Sequence, residues 1–158
     1  MNALVLNCGS SSVKFQLIAT DLEHIERNSD ERLAHGIIER VGGAGVITFT
    51  AEASAPQRSA ASVRNTRAAV ELILHWVVSG ESGVGAVSTI AGIHAVGHRV
   101  VHRRERFTRS VLITDESLAR HRRLHRACAA IDMALGQLRR PHYLFGSSRQ
   151  YPEIHRID

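Results

Sequence analysis

Aromatic residues are scarce in this chain: Phe, Tyr and Trp make up 4% of it, with a single Trp. Any core must therefore be built mainly from aliphatic side chains, and a hydrophobic content of 44% is enough to build one. Cysteine is scarcer still, with only Cys8 and Cys128. Two cysteines so far apart exclude a disulfide framework and make a reduced, cytoplasmic setting the default expectation. No segment approaches the roughly 20 consecutive apolar residues of a membrane-spanning helix, so no membrane partner is expected. The apolar stretch near the N-terminus is interrupted by Asn7 and by Ser10, Ser11 and Ser12, and no basic flank precedes it. It does not read as a signal peptide. With 158 residues, the chain accommodates one domain, or one and a fraction.

Acidic residues are also outnumbered, 15 against 20 Lys and Arg, for a net charge of +5. The imbalance is local. Up to Leu118 acids and bases nearly cancel; beyond it come Arg120, His121, Arg122, Arg123, His125, Arg126, Arg139, Arg140 and His142. Basic runs can bind RNA or an acidic partner. This one lacks interleaved aromatics and any nucleic-acid-binding motif, which argues against nucleic acid as the partner.

Hydrophobic patterning predicts an α/β chain. Residues 4–7 read as a short buried strand. Gly9 and the three serines read as a turn. Val13, Phe15, Leu17 and Ile18, with Lys14 and Gln16 between them, form a second strand, so that the pair makes a hairpin. Residues 33–41 are a third strand candidate, ended by Gly42 and Gly43, and residues 46–50 a fourth. Residues 51–62 are small and polar and read as a loop. Residues 63–78 read as a helix with an apolar stripe of Ala69, Leu72, Ile73, Trp76 and Val77, closed by Ser79 and Gly80. Residues 83–92 are loop-like, and 93–101 another strand. A charged loop over 102–109, a short strand over 111–113 and a helix from Glu116 capped by Asp115 complete the pattern. Strands first, then a helix, then another strand predict a mixed β-sheet with flanking helices.

The segment from Asn7 to Lys14 carries chemistry. A Gly/Ser turn between strands exposes backbone N–H groups that can form a concave anion site. The hydroxyls of Ser10, Ser11 and Ser12 add donors, and Lys14 adds a positive charge suited to a phosphoryl group. The Asn7 carboxamide oxygen can hold water around Mg²⁺. On residue types alone, an ordinary hairpin with a solvated lysine is the commoner outcome.

The literal strings point further. Asn7-Cys8-Gly9-Ser10-Ser11-Ser12-Val13-Lys14-Phe15-Gln16-Leu17 resembles the N-terminal signature of the acetate kinases, the acetokinase family of short-chain carboxylate kinases. Gly97-His98-Arg99-Val100-Val101-His102, followed by Glu105, Phe107 and Ser110-Val111-Leu112-Ile113, is similar to the family's second signature. Ala34-His35-Gly36-Ile37-Ile38-Glu39-Arg40-Val41-Gly42 resembles the intervening strand, and the likeness runs over residues 3–118. It implies the N-terminal domain of the ribonuclease H-like, sugar kinase–Hsp70–actin superfamily, incomplete here. It also implies reversible transfer of the ATP γ-phosphoryl group to acetate, giving acetyl phosphate and ADP, or to propionate or butyrate in near relatives. By the same resemblance Lys14 and the serines meet the nucleotide phosphates, Asn7 helps hold Mg²⁺ (or Mn²⁺), Arg99 binds the carboxylate or phosphoryl end of the substrate, and Val101 lines the pocket for the acetate methyl. An Arg fork suits carboxylate and phosphate oxygens. A homodimer is implied in the same way. Cys8 reads as a small residue at a tight strand end, and neither His98 nor His102 as a catalyst.

The chain departs from the family pattern in two places and in length, since family members are more than twice as long. Arg103 and Arg104 stand where the pattern has two glycines. The residues around His125 lack the prolines of the family's Pro-Leu-His motif, and no Asp-Thr-Ala-Phe-His stretch follows, so no catalytic residue is assigned. Tyr143-Leu144-Phe145-Gly146 echoes a later family motif without its histidines and reads as a chance likeness. The chain is accordingly divided into an acetate-kinase-like domain, 1–118, and a divergent Arg/His-rich tail, 119–158. Two origins fit the tail's composition: out-of-frame reading of a GC-rich gene, or a basic segment with a partner. The family's activity is set against a second expectation, a catalytically inactive remnant that retains phosphate affinity, and no measurable turnover is expected of this chain by itself.

Overall fold

The computed structural model describes residues 1–99, 111–112 and 142–146. Strands β1 (Asn2–Cys8) and β2 (Ser12–Ala19) form the expected hairpin, longer than the hydrophobic run suggests. A short helix α1 (Leu22–Arg27) leads to β3 (Glu31–Glu39), β4 (Gly43–Ala51) and β5 (Gln57–Val63). Helix α2 (Thr66–Val78) and single 3₁₀ turns at Gly80–Ser82 and Ile90–Gly92 precede β6 (Ala95–Arg99). Two further strands, β7 (Val111–Leu112) and β8 (His142–Gly146), complete the described elements. All the strands lie in one mixed sheet of order β5-β4-β3-β2-β1-β6-β8-β7. Antiparallel pairing runs from β5 to β1, and β1–β6 and β6–β8 are parallel. The mixed α/β reading is borne out.

One face of this sheet is the core. With successive side chains on opposite faces, β1 buries Leu4 and Leu6, β2 buries Val13, Phe15 and Leu17, and β4 buries Ile47, Phe49 and Ala51. Helix α2 covers them with Ala69, Val70, Ile73, Leu74 and Val77. Each large aliphatic side chain so buried contributes about 1.5–3 kcal/mol. Asn65 starts the helix: its side-chain oxygen accepts from the Ala68 N–H at 2.9 Å. The stripe expected from the sequence is rotated slightly, since Val70 and Leu74 are buried while Leu72 and Trp76 sit at its flank.

The few aromatics are concentrated at one point. The ring centroids of Phe15 and Phe49 lie 5.3 Å apart, edge to face, and Trp76 sits 6.0 Å from Phe15 and 4.9 Å from Phe49. Between the two phenylalanines, in the same row of the sheet, is Gly36. A Cβ there would lie 2.6 Å from the Phe49 ring, 2.7 Å from the Phe15 ring and 2.6 Å from the Thr48 carbonyl oxygen. The rings occupy the space that a side chain on β3 would take.

One expectation needs correction, and two elements add to the expected pattern. Residues 51–62 are not all loop, because β5 runs through Gln57–Val63. Its Ser and Ala residues have weak strand preference, and only the ladder to β4 defines it. Val63 consequently ends a strand and the helix starts at Thr66. Helix α1 is absent from the hydrophobic pattern because none of its residues is buried. Its end signals were nevertheless present: Asp21 caps the N-terminus and Asn28 takes the left-handed conformation at the other end. Residues 142–146, assigned to the divergent tail, form β8. The division at 118, the charged loop over 102–109 and the helix from Glu116 lie outside the described residues, as do Val100 and Val101 of the expected strand 93–101.

Gly36→Ala should destabilise the fold by about 1–3 kcal/mol, since a Cβ at these distances forces the rings and backbone apart. Urea unfolding of the two proteins measures this directly, and an unchanged midpoint would contradict the close packing.

Candidate functional site

The turn between β1 and β2 is Gly9-Ser10-Ser11, with Ser12 opening β2. The Gly9 N–H donates to the Ser12 carbonyl at 2.8 Å. The Val41 N–H, from the turn between β3 and β4, donates to the Ser11 carbonyl at 2.9 Å. The Ser11 carbonyl is thus tied into the fold by a neighbouring hairpin. Ser10 and Ser11 are exposed, and among the described residues no acceptor meets their backbone N–H groups. A Cβ at Gly9 would lie 3.0 Å from Ser12 Oγ, a tight contact that rotation of the serine hydroxyl relieves. The result is a braced turn with hydroxyls and amides at the surface.

Strand register brings the other predicted residues to this turn. Asn7 on β1 pairs with Lys14 on β2 and with Arg99 on β6, so the three stand in one row across the sheet. The row ends at Gly146 on β8. Asn7 and Lys14 alternate with the core residues Leu6, Val13 and Phe15, which places them on the face opposite α2, where both are half-buried. Residues far apart in sequence, 7, 14 and 99, therefore occupy adjacent positions at one end of the sheet. Of the predicted site residues, Asn7, Ser10, Ser11, Ser12, Lys14 and Arg99 are brought together, and Val101 lies outside the described residues.

Two titratable neighbours of the row are neutral. Burial pushes the Cys8 thiol up to about 12, so it is a neutral thiol beside the turn. His35, on the same face as Lys14, is held below the ordinary histidine range, first by burial and then by the Arg32 charge, and is neutral at pH 7. His98 is buried on the core face opposite Leu6, a packing position. Two residues escaped the sequence reading. Val41 braces Ser11, and Glu39 stands opposite Ser12. Both reach the turn by strand pairing, so no local signal could have revealed them.

The model of the Acetokinase family matches residues 2–132. The chain belongs to the acetokinase family. Its sequence is 53% identical over 118 residues to an acetate kinase of Solibacter usitatus, and 49% identical over 120 residues to one of Chloroherpeton thalassium. These matches cover 75% and 73% of this chain but only 28% and 29% of those relatives, so the chain spans under a third of their length. Its fold is similar to that of the Porphyromonas gingivalis acetate kinase, with a TM-score of 0.76 at 28% identity over 93% of this chain and 37% of that one. A propionate kinase from Francisella tularensis gives a TM-score of 0.68 at 26% identity, over 93% and 36%. The sheet is the N-terminal part of the actin-like fold of these acetokinase family members, as the resemblance implied.

Burial of Cys8 makes a chemical prediction. In a Cys128→Ser background, iodoacetamide at pH 8 should modify the folded chain, whose Cys8 is half-buried, far more slowly than the chain unfolded in urea, read by intact mass. Because the folded thiol ionises only near 12, whereas an unfolded thiol does so near 9, stability should fall as pH rises above about 9. Rapid alkylation of the native chain at pH 8 would contradict the buried position.

Proposed function

We propose that this chain forms the phosphate- and carboxylate-binding side of an acetate-kinase-type phosphotransferase, which moves the ATP γ-phosphoryl group to acetate and gives acetyl phosphate and ADP. The single observation that carries this reading is the row Lys14–Asn7–Arg99 beside the braced serine turn. In it, Lys14, Ser10, Ser11 and Ser12 meet the nucleotide phosphates, and Arg99 takes the carboxylate or phosphoryl end of the substrate. Phosphoryl transfer depends on position and on neutralising charge, and a lysine and an arginine on either side of β1 in one row supply both. Val101 is assigned to the acetate methyl by family resemblance, and propionate or butyrate remains the near alternative. A homodimer working in a cytoplasmic setting belongs to the same reading.

The residues present fit Mg²⁺ or Mn²⁺ in a limited way. Asn7 offers a hard oxygen donor in a half-buried position, as these cations prefer. Among the described residues no cluster of three or more His, Cys, Asp or Glu could hold a metal by itself. The ion would be shared with nucleotide phosphates and water, with Asn7 as the protein's contribution, and it would offset charge on the transferring group.

The sequence departures favour a second reading, in which the 158-residue chain binds phosphate without turnover. Arg103 and Arg104 replace two glycines of the family pattern, and the family's Pro-Leu-His and Asp-containing motifs have no match. Sequencing the DNA downstream of this reading frame tests the proposed out-of-frame origin of residues 119–158; absence of a frame encoding the missing motifs would refute it.

Titration calorimetry with Mg·ATP should show binding that weakens on the order of tenfold or more in Lys14→Ala, the loss of one charge-assisted contact. A coupled assay for acetyl phosphate separates the two readings. Turnover removed by Lys14→Ala and by Arg99→Ala supports the phosphotransferase; binding without turnover supports the second reading. If wild-type and Lys14→Ala chains bind Mg·ATP equally, both fail.

A further inference from the structure

The turn between β3 and β4 holds an arginine in a conformation that suits glycine. Arg40 has a φ of 56°, in the left-handed region that most side chains avoid and that Gly and Asn favour. The same turn uses a glycine, Gly42, at its other positive-φ position, 109°. Its backbone is held from two sides. The Val41 N–H donates to the Ser11 carbonyl at 2.9 Å, and the Gly42 N–H donates to the Val63 carbonyl at 2.7 Å. The Val41 side chain packs against the core. Residues fixed in sparsely populated backbone regions by their surroundings cluster at ligand sites.

Charge and position single out the same residue. Arg27, Arg32 and Arg67 are each paired with a glutamate, whereas exposed Arg40 has no ion-pair partner among the described residues. On one side of it in the chain, Glu39 pairs with Ser12; on the other, Val41 is bonded to Ser11. Arg40 therefore stands directly beside the serine turn. Glu39 sets an exposed carboxylate against that turn, which by itself repels phosphate, and the Arg40 charge offsets it.

We propose that Arg40 is a further cationic group of the phosphate turn, its guanidinium taking oxygens of the nucleotide's phosphate chain beside Ser11 and Ser12. The inference rests on the phosphotransferase reading and adds to it a residue on the nucleotide side. Strand order assigns that side. Across the sheet come Arg99 on β6, Asn7 on β1, Lys14 on β2 and then the turn after β3. Three strand spacings of about 4.8 Å separate the backbones of β6 and β3 by about 14 Å. With Arg99 taking the carboxylate or phosphoryl end of the acceptor, the cation beyond Lys14 falls to the phosphates that extend the other way.

Titration calorimetry with Mg·ATP on the 158-residue chain tests this. Arg40→Gly keeps the turn's conformation and removes the charge. It should melt no lower than wild type and bind Mg·ATP roughly fivefold more weakly. Arg40→Lys, which keeps a charge, should bind more tightly than Arg40→Gly. Arg27→Gln, on α1 at the far end of β2, should bind as wild type does. Wild-type affinity in Arg40→Gly, beside weakened binding in Lys14→Ala, overturns the role of Arg40 and leaves the phosphotransferase reading standing. Equal weakening in Arg40→Gly and Arg40→Lys, or in Arg27→Gln, overturns it too, because the effect then belongs to the backbone or to the overall charge. A wild-type chain that does not bind Mg·ATP overturns both. Should Arg40→Gly fail to fold, Arg40→Asn, uncharged and tolerant of the left-handed region, decides.

Discussion

The packing of Phe15 and Phe49 over Gly36 is the constraint on which the rest of the structure depends. Three strands meet in this row, and the rings of the outer two converge over the middle one, which has no side chain to separate them. Trp76 adds α2 to the cluster at 4.9 Å from Phe49. In a chain with so few aromatics, placing three of them together locks helix to sheet at a single point. Aromatic pairs of this geometry add about 0.5–1.5 kcal/mol beyond their buried area. Register follows from it. A slip of one residue in β3 would move Gly36 out of the row and put Ile37 or His35 beneath the rings.

Register in turn makes the site. Phe15 pairs with Leu6, and one step along the strands Lys14 pairs with Asn7. The same ladder that buries Phe15 on one face holds Lys14 on the other. Val41, in the turn after β3, reaches the Ser11 carbonyl only because β3 is correctly paired with β2. Core packing on the α2 face and the anion-binding turn are therefore two consequences of one alignment.

Much of this was legible in the sequence. The alternation in β1, β2 and β4 reports directly which side chains enter the core, since each strand has one buried face. The serine turn with Lys14 could be read as a candidate phosphate site from its residue types, and the family signatures sharpened it. Three features were not legible, each for a physical reason. Strand β5 has Ser and Ala where strands usually carry branched side chains, and its existence rests on hydrogen bonds to β4. Helix α1 buries nothing, so it leaves no hydrophobic period. Strand β8 carries the strand-favouring Tyr143 and Phe145, but only parallel pairing with β6 gives it a place in the sheet.

By itself, then, the sequence determined the hairpin, the helical stripe, the membership of the acetokinase family and the residue types able to meet phosphate. These are local properties, set by side-chain period and by short strings. The tertiary structure alone decided that Asn7, Lys14 and Arg99 share one row, that Val41 braces the serine turn, and that Gly36 is the point where the aromatics meet. Such relations depend on pairing between strands distant in the chain, and pairing is chosen by the packing of the whole core rather than by any neighbour in sequence.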